Sequence, residues 1–388
     1  MNVQGINEKS ITKISNYNKE NEFLCNYRLD SYKKYIGLSK PIIGPDIKLD
    51  YDKLCFKLKE EIYDNINNIP NDIKAIYKKY SSNNNVILQY NSTTIYNNIN
   101  DIICASFDVM INKYPDLFYL YFNKLIKNDE NYYSAINNSI WSNSLFVYIP
   151  PHTKIDCINK YIGIDKNNIG VINKVIIVVD EYSYLNINEY LISSINSIES
   201  INISTIEIFV KKHSKCIYNS IQDFNKNMYN VTIKRAFIED NGYMKWNEIN
   251  IGAKYNIGYP TCILDGKNSK GIYKAINCSS KDQVQDIGYK MIHRFNDTVS
   301  NIDVKNIVLD NGELTYRTKI RIATSCINST SSIKNTVYMN DCLSKYNSIP
   351  NDIIRNNLSS INHVDKIKKV NKSVINMIEK KINSIINK

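Results

Sequence analysis

Val175-Ile176-Ile177-Val178-Val179, Thr205-Ile206-Glu207-Ile208-Phe209-Val210, Asn230-Val231-Thr232-Ile233-Lys234-Arg235, Tyr243-Met244-Lys245-Trp246 and Lys254-Tyr255-Asn256-Ile257 are the runs whose reading decides the fold. Each is short, and each is rich in the β-branched and aromatic residues that fit a pleated surface. Turn signals such as Asp240-Asn241-Gly242 and Asp265-Gly266-Lys267-Asn268 separate them. From Val175 to His293 the chain keeps returning to this pattern, and no helical period of comparable length intervenes after Ile221. A strand-rich stretch this long predicts either many stacked rungs or two packed sheets.

Outward from this core the pattern changes. Residues 8–38 predict a helix, with Phe23, Leu24, Tyr27 and Arg28 at helical spacing and Gly37 near its end. Further helices are expected after Pro70, over 106–111, and from Pro115, where Leu117, Leu120, Tyr121 and Leu125 share a face. At Ser134 a polar turn leads into an alternating strand stopped by Pro150-Pro151, and the β region then runs to about Met339. The last segment, 352–388, predicts a basic amphipathic helix striped by Ile367, Val370, Val374, Ile378, Ile382 and Ile385. Three regions are therefore expected: 1–133 mainly helical, 134–342 a β core, and 343–388 a short C-terminal helical segment.

The 388 residues are 43% hydrophobic, enough for a packed interior around one long core. Lysine and arginine exceed aspartate and glutamate by 11, but the lysines are scattered, so nucleic acid is not an expected partner. With 30 Tyr against 2 Trp and abundant Asn, Ile and Lys, much of the composition follows A/T-rich codons. The nine cysteines form no Cys-x-x-Cys pair, which argues against a zinc site or a disulfide framework. No apolar run approaches the roughly 18 residues of a membrane span, and Met1-Asn2-Val3-Gln4-Gly5 does not open a signal or transit peptide. Gly266-Lys267-Asn268-Ser269-Lys270-Gly271 lacks phosphate-loop spacing, so any ATP hydrolysis is expected in a partner.

Several collinear motifs carry a family resemblance. Residues 134–151, Ser-Ala-Ile-Asn-Asn-Ser-Ile-Trp-Ser-Asn-Ser-Leu-Phe-Val-Tyr-Ile-Pro-Pro, resemble the "ALNSAVWSGGSFVYVPxG" signature of the SufB branch of the SufB/SufD family of iron–sulfur cluster assembly scaffolds. Residues 7–32 are similar to "NEDTIRLIS…EFRLKAYRKW", and 221–236 to "IQNW…YNLVTKRA". Tyr259-Pro260-Thr261-Cys262-Ile263-Leu264 resembles "YPSCIL", residues 285–293 resemble "QDAGAKMIH", and Tyr316-Arg317 and Ile349-Pro350 continue the series.

The resemblance implies a mainly β chain built on a right-handed parallel β-helix with flanking helical segments. It implies a complex with a SufD-type subunit and the SufC-type ABC ATPase, fed with persulfide by a cysteine desulfurase and its SufE-type carrier. A transient iron–sulfur cluster is the implied cargo. The biased composition and the apparent lack of a targeting peptide point to a plastid, apicoplast-like stroma, with bacterial cytoplasm as the alternative. The expected function is a SufB-like scaffold subunit, not a turnover enzyme; the alternative is a SufD-like structural subunit without cluster chemistry. About 25 residues follow His363, which would reduce contact with SufC.

The resemblance also places the chemistry. The family's assembly-site cysteine, in "NSKSFVECD", falls on Asn335, and an amide cannot act as a thiolate. The family's "GHEA" or "EHEA" element falls on Asn362-His363-Val364-Asp365, keeping the histidine as His363 and replacing the adjacent carboxylate by Val364. A cysteine associated with sulfur delivery falls on Ile238. Cys326 and Cys342 flank Asn335 by nine and seven residues and are the candidate substitutes, with His363 as iron ligand or proton carrier. Cys262 and His293 are expected to be structural, His152 to be exposed, and His213 to lie in a loop.

Overall fold

The computed structural model describes residues 3–42, 44–57, 60–77, 85–195, 198–340, 343–370 and 380. The chain begins with β1 (Val3–Gln4), α1 (Glu8–Tyr17) and α2 (Glu22–Gly37). The single helix expected over 8–38 is thus two. Asn21 interrupts it by accepting a hydrogen bond from Leu24 N, acting as an N-cap for α2 as Asn7 does for α1. Next come β2 (Cys55–Lys57), antiparallel to β1, then α3 (Asn71–Ile76), β3 (Val86–Tyr90), β4 (Thr93–Asn97) and β5 (Ile103–Ala105). Helices α4 (Phe107–Lys113), α5 (Pro115–Tyr121) and α6 (Tyr132–Ile140) complete the N-terminal region.

Helix α6 corrects the polar turn expected at Ser134. Its Asn and Ser residues are all buried, and a capping box between Asn131 and Ser134 starts it. The polar side chains find partners in the neighbouring sheet: Asn137 Nδ2 donates to the carbonyls of Asn173 (2.8 Å) and Ile203 (3.0 Å), and Asn138 Oδ1 accepts from Lys174 Nζ (2.8 Å). Beside it, the Arg28 guanidinium lies 3.3 Å from the Trp141 ring centre and is paired with Glu20 at 2.6 Å. These contacts tie α2 to the β core.

That core consists of β6 (Asn143–Ile149), β7 (Lys154–Ile164), β8 (Gly170–Val179), β9 (Tyr184–Ser193), β10 (Ile201–Val210), β11 (Lys215–Phe224), β12 (Tyr229–Ile238) and β13 (Tyr243–Gly252). It continues through β14 (Tyr255–Gly258), β15 (Thr261–Leu264), β16 (Lys270–Ser280), β17 (Val284–His293), β18 (Val299–Leu309), β19 (Glu313–Ile322), β20 (Thr330–Met339), β21 (Lys345–Ile354) and β22 (Ser360–Lys369). Successive long strands alternate between two sheets. One runs β5-β6-β8-β10-β12-β14-β17-β19-β21, with β15 bridging β12 and β17, and the other β4-β3-β7-β9-β11-β13-β16-β18-β20-β22. Apart from the β5–β6 and β3–β4 pairs, neighbours within these two sheets are parallel. This is a β-solenoid of about eight turns.

Strand alternation fills the solenoid interior with one apolar cluster that includes Val175, Ile177, Ile206, Ile208, Trp246 and Ile320. Each coil turns one corner through a left-handed residue, in order His152, Tyr182, His213, Asn241, Asn268, Asp297 and Asn328. Asn and Asp tolerate that conformation best, which is why the turn signals at Asn241 and Asn268 were legible.

The C-terminal helical segment expected over 343–388 is corrected over its described part. Residues 345–354 and 360–369 are β21 and β22, which extend the two sheets past residue 342. Ile361, His363, Asp365 and Ile367 alternate with outward residues, and this period of two governs the segment. Ile367 lies in β22, whereas Val374, Ile378, Ile382 and Ile385 lie outside the described residues.

Candidate functional site

Asn335 sits in mid-β20, fully buried, as the last rung of an amide ladder. Asn250 donates to Asn277 (2.9 Å), Asn277 to Asn306 (2.8 Å), Asn306 to Asn335 (2.9 Å), and Asn335 to the Tyr346 hydroxyl (2.7 Å). In-register parallel strands make this possible, because the same position recurs on every coil about 4.8 Å away. The position that the family resemblance assigns to a thiolate is here part of a satisfied hydrogen-bond column.

On the next coil, β22 sets Asp365 beside Asn335 and His363 beside Ile333. Two carboxylates bracket the His363 ring: Nδ1 lies 2.8 Å from Asp352 Oδ2 of β21, and Nε2 lies 3.0 Å from Asp365 Oδ1. Both contacts are hydrogen bonds only when the imidazole carries a proton on each nitrogen. Ser348 donates to the other Asp365 oxygen (3.1 Å). The second Asp352 oxygen, Oδ1, is buried with no hydrogen-bond partner among the described residues. The imidazole is 19% exposed, so the cluster is reachable from solvent at the end of the solenoid.

Val364 points to the opposite face and is 38% exposed. The carboxylate missing next to the histidine in sequence is thus present in space, supplied by Asp365 two residues on and by Asp352 from the adjoining strand. Sequence reading missed both because it treated this segment as helical. On a strand, position i+2 shares the face of position i.

Cys326 does not join this cluster. It is buried in the turn before β20, where its thiol donates to His293 O (3.3 Å) and burial pushes its pKa up. Ser359 bonds the Cys326 carbonyl, and His363 is four extended residues further on, about 13 Å. Cys342 lies outside the described residues. Among the described residues no group of three or more His, Cys, Asp and Glu side chains is arranged to hold a metal ion.

The other residues singled out from the sequence have plain positions. Ile238 and Cys262 are buried in the solenoid interior, and burial pushes the Cys262 thiol up to about 12. Cys262 faces the same interior as Cys216. His293 is buried, with its ring nitrogens 2.8 Å from Thr298 Oγ1 and 3.0 Å from Ser300 Oγ. His152 and His213 are exposed turn residues whose rings stack on either face of Tyr182, at 5.2 and 4.7 Å. The eight cysteines among the described residues are free thiols.

The interior also holds charge. Lys160 pairs with Glu189 (3.1 Å) and Lys234 with Glu248 (2.8 Å), all four buried, and Tyr273 donates to Glu248 (2.9 Å). Burial alone would raise the Glu189 pKa, but Lys160 and Lys234 more than offset it and hold the carboxyl below its usual range.

Comparison with known proteins accords with this geometry. Residues 161–375 match the SufBD core domain of the SUF system for FeS cluster assembly, and residues 46–160 match the SufBD protein N-terminal region. An iron-sulfur cluster assembly SufBD family protein of Staphylococcus saprophyticus is 31% identical over 386 residues, covering 95% of this chain and 83% of its own length. Counterparts from Staphylococcus epidermidis and Staphylococcus aureus are 30% and 29% identical over the same extent. These relatives carry the family designation without a division into SufB and SufD.

Proposed function

The chain belongs to the SufBD family of iron–sulfur cluster assembly proteins, and from that premise we propose that it is a SufB-type scaffold whose assembly site is the last coil. The observation that carries this reading is the His363 imidazole held between Asp352 and Asp365 in the last described coil of the solenoid. Iron and sulfide are the substrates. Ferrous iron takes Nε2 of His363 in place of the proton shared with Asp365, that proton leaves to solvent, and Asp365 turns to the metal as a second ligand. Asp352 keeps its bond to Nδ1, which fixes the ring and raises its basicity toward the metal. Cys342, seven residues beyond Asn335, supplies the thiolate that Asn335 cannot. Cys326, with its thiol turned inward, stays a core residue.

On this reading the protein is an assembly subunit and not a turnover enzyme. It receives persulfide sulfur from a cysteine desulfurase system, an external two-electron reductant releases that sulfur as sulfide and returns the carrier thiol, and the chain works with a SufD-type subunit and a SufC-type ATPase. None of the described helices is long and apolar enough to cross a membrane. The named relatives are bacterial, which favours the bacterial cytoplasm over the plastid stroma.

The burial of Asn335 in the amide ladder favours a second reading, a SufD-like structural subunit without cluster chemistry. Co-expression with SufC- and SufD-type subunits separates the two. A SufB-type chain is expected to co-purify with both, whereas a SufD-like chain pairs with a SufB-type subunit supplied in place of SufD. Purification as a monomer indifferent to all of them contradicts both readings.

A further inference from the structure

The outer face of the sheet carrying β17 and β19 gathers cations in register. Lys290 on β17 lies directly beside Lys319 on β19, and Arg321 follows two residues along on the same face. Arg235 is on the Lys290 register row, reached through Thr261 of β15, and Arg317 precedes Lys319 by two residues. Two of these five cations are neutralised. Arg235 is paired with Glu130 (2.8 Å), and Asp286 holds Arg317 through two bonds of 2.7 and 2.9 Å. Lys290, Lys319 and Arg321 have no carboxylate partner among the described residues, and Arg321 Nε is buried without any hydrogen-bond partner there.

Like charges on adjacent strands repel, and here they are half-buried. Lys290 registers the cost: burial first, then Lys319, Arg235 and Arg321, lower its pKa, with Glu130 pulling the other way. A pocket of about 290 Å³ opens beside Lys290 and Lys319, lined also by Tyr259, Arg317, Ile349 and Asn351, and Arg321 stands outside this lining, two residues further along β19 on the same face.

We propose that this pocket, together with Arg321 beside it, binds a phosphoryl group, either as a diphosphate or as part of a phosphate ester. The three unpaired cations occupy corners about 5 Å apart across the strands and about 7 Å apart along them. A single carboxylate offers one charge and two oxygens to such a triangle. A phosphoryl dianion offers more charge and a third oxygen, and a diphosphate reaches all three corners, with the Arg321 fork giving directional bonds. The site is on the outer face of one sheet, whereas His363 lies on the inner face of the other, so the proposal stands apart from the cluster-assembly reading.

Thermal melting of the full chain with pyrophosphate or ADP, each matched in ionic strength with sodium chloride, tests it. Pyrophosphate is expected to raise the melting temperature of the parent chain, and the Lys290→Gln/Lys319→Gln double variant to lose that rise while melting no lower than the parent without ligand. By titration calorimetry the double variant, and Arg321→Gln separately, should bind pyrophosphate at least tenfold more weakly. Equal stabilisation by pyrophosphate and ADP supports the bare group as sufficient, and stabilisation by ADP alone supports an ester. The proposal is overturned if neither ligand stabilises the parent, or if the rise persists undiminished in the double variant.

Discussion

His293 and His363 meet opposite surroundings in one solenoid. His293 is enclosed with only the hydroxyls of Thr298 and Ser300 at its nitrogens, and burial pushes its pKa down to about 4. The unfolded imidazole, near 6.5, binds a proton that the folded one refuses, so between about pH 6.5 and 4 the unfolded chain holds more protons. Stability is therefore expected to fall by about 3 kcal/mol as pH drops through that window, and His293→Gln to flatten this part of the curve. Denaturant unfolding across the pH range measures it; an unchanged slope in the variant would contradict the assignment. His363, by contrast, has two carboxylates. Asp352→Asn keeps the shape of its anchor but removes the charge, and ferrous iron affinity is expected to fall about 10- to 100-fold, as when a metal-bound histidine loses its outer partner. Iron titration under anaerobic conditions reads this directly, and undiminished affinity would remove Asp352 from the site.

Elements were legible where one signal ruled. The runs from Val175 to Ile257 are β-branched and aromatic and two of them end in Asn, Asp and Gly turns, so these strands and the corners at Asn241 and Asn268 followed from sequence. Helix α6 was not legible, because its Asn and Ser residues are turn formers whose partners, the carbonyls of Asn173 and Ile203, lie far along the chain. Strand β22 was hidden by an isoleucine stripe of helical spacing that begins at Ile367 and competes with the period-two run Ile361, His363, Asp365. That one misreading also concealed half of the site, since only on a strand does Asp365 face the same way as His363. The buried ion pairs are a further product of the fold. Glu248→Ala removes the hydrogen-bonded partner of the buried Lys234 ammonium, leaving it only the electrostatic attraction of Glu189, and is expected to destabilise by about 3 kcal/mol, whereas the pair replacement Lys234→Met/Glu248→Leu should recover most of that loss. Chemical denaturation decides between them, and equal losses in both variants would contradict a specific charge penalty.

At the scale of the whole molecule, the two sheets make a rigid column with different ends. At one end α2, α6 and the Arg28–Trp141 contact cover the first coils. At the other, β21 and β22, the last described strands, carry a partly exposed polar cluster of Tyr346, Ser348, Asp352, His363 and Asp365. The long interior between them, mostly apolar but holding the Lys160–Glu189 and Lys234–Glu248 pairs, fixes the spacing of these groups. On the proposed reading, scaffold and site are separate parts of one chain, and the cluster chemistry depends on the last coil. Anaerobic reconstitution of the purified chain with ferrous iron and sulfide, followed by visible absorption, tests this most directly. The account predicts a cluster absorption band that is retained in Cys326→Ser and lost in His363→Ala; absence of the band in the parent chain, or its survival in His363→Ala, would contradict it.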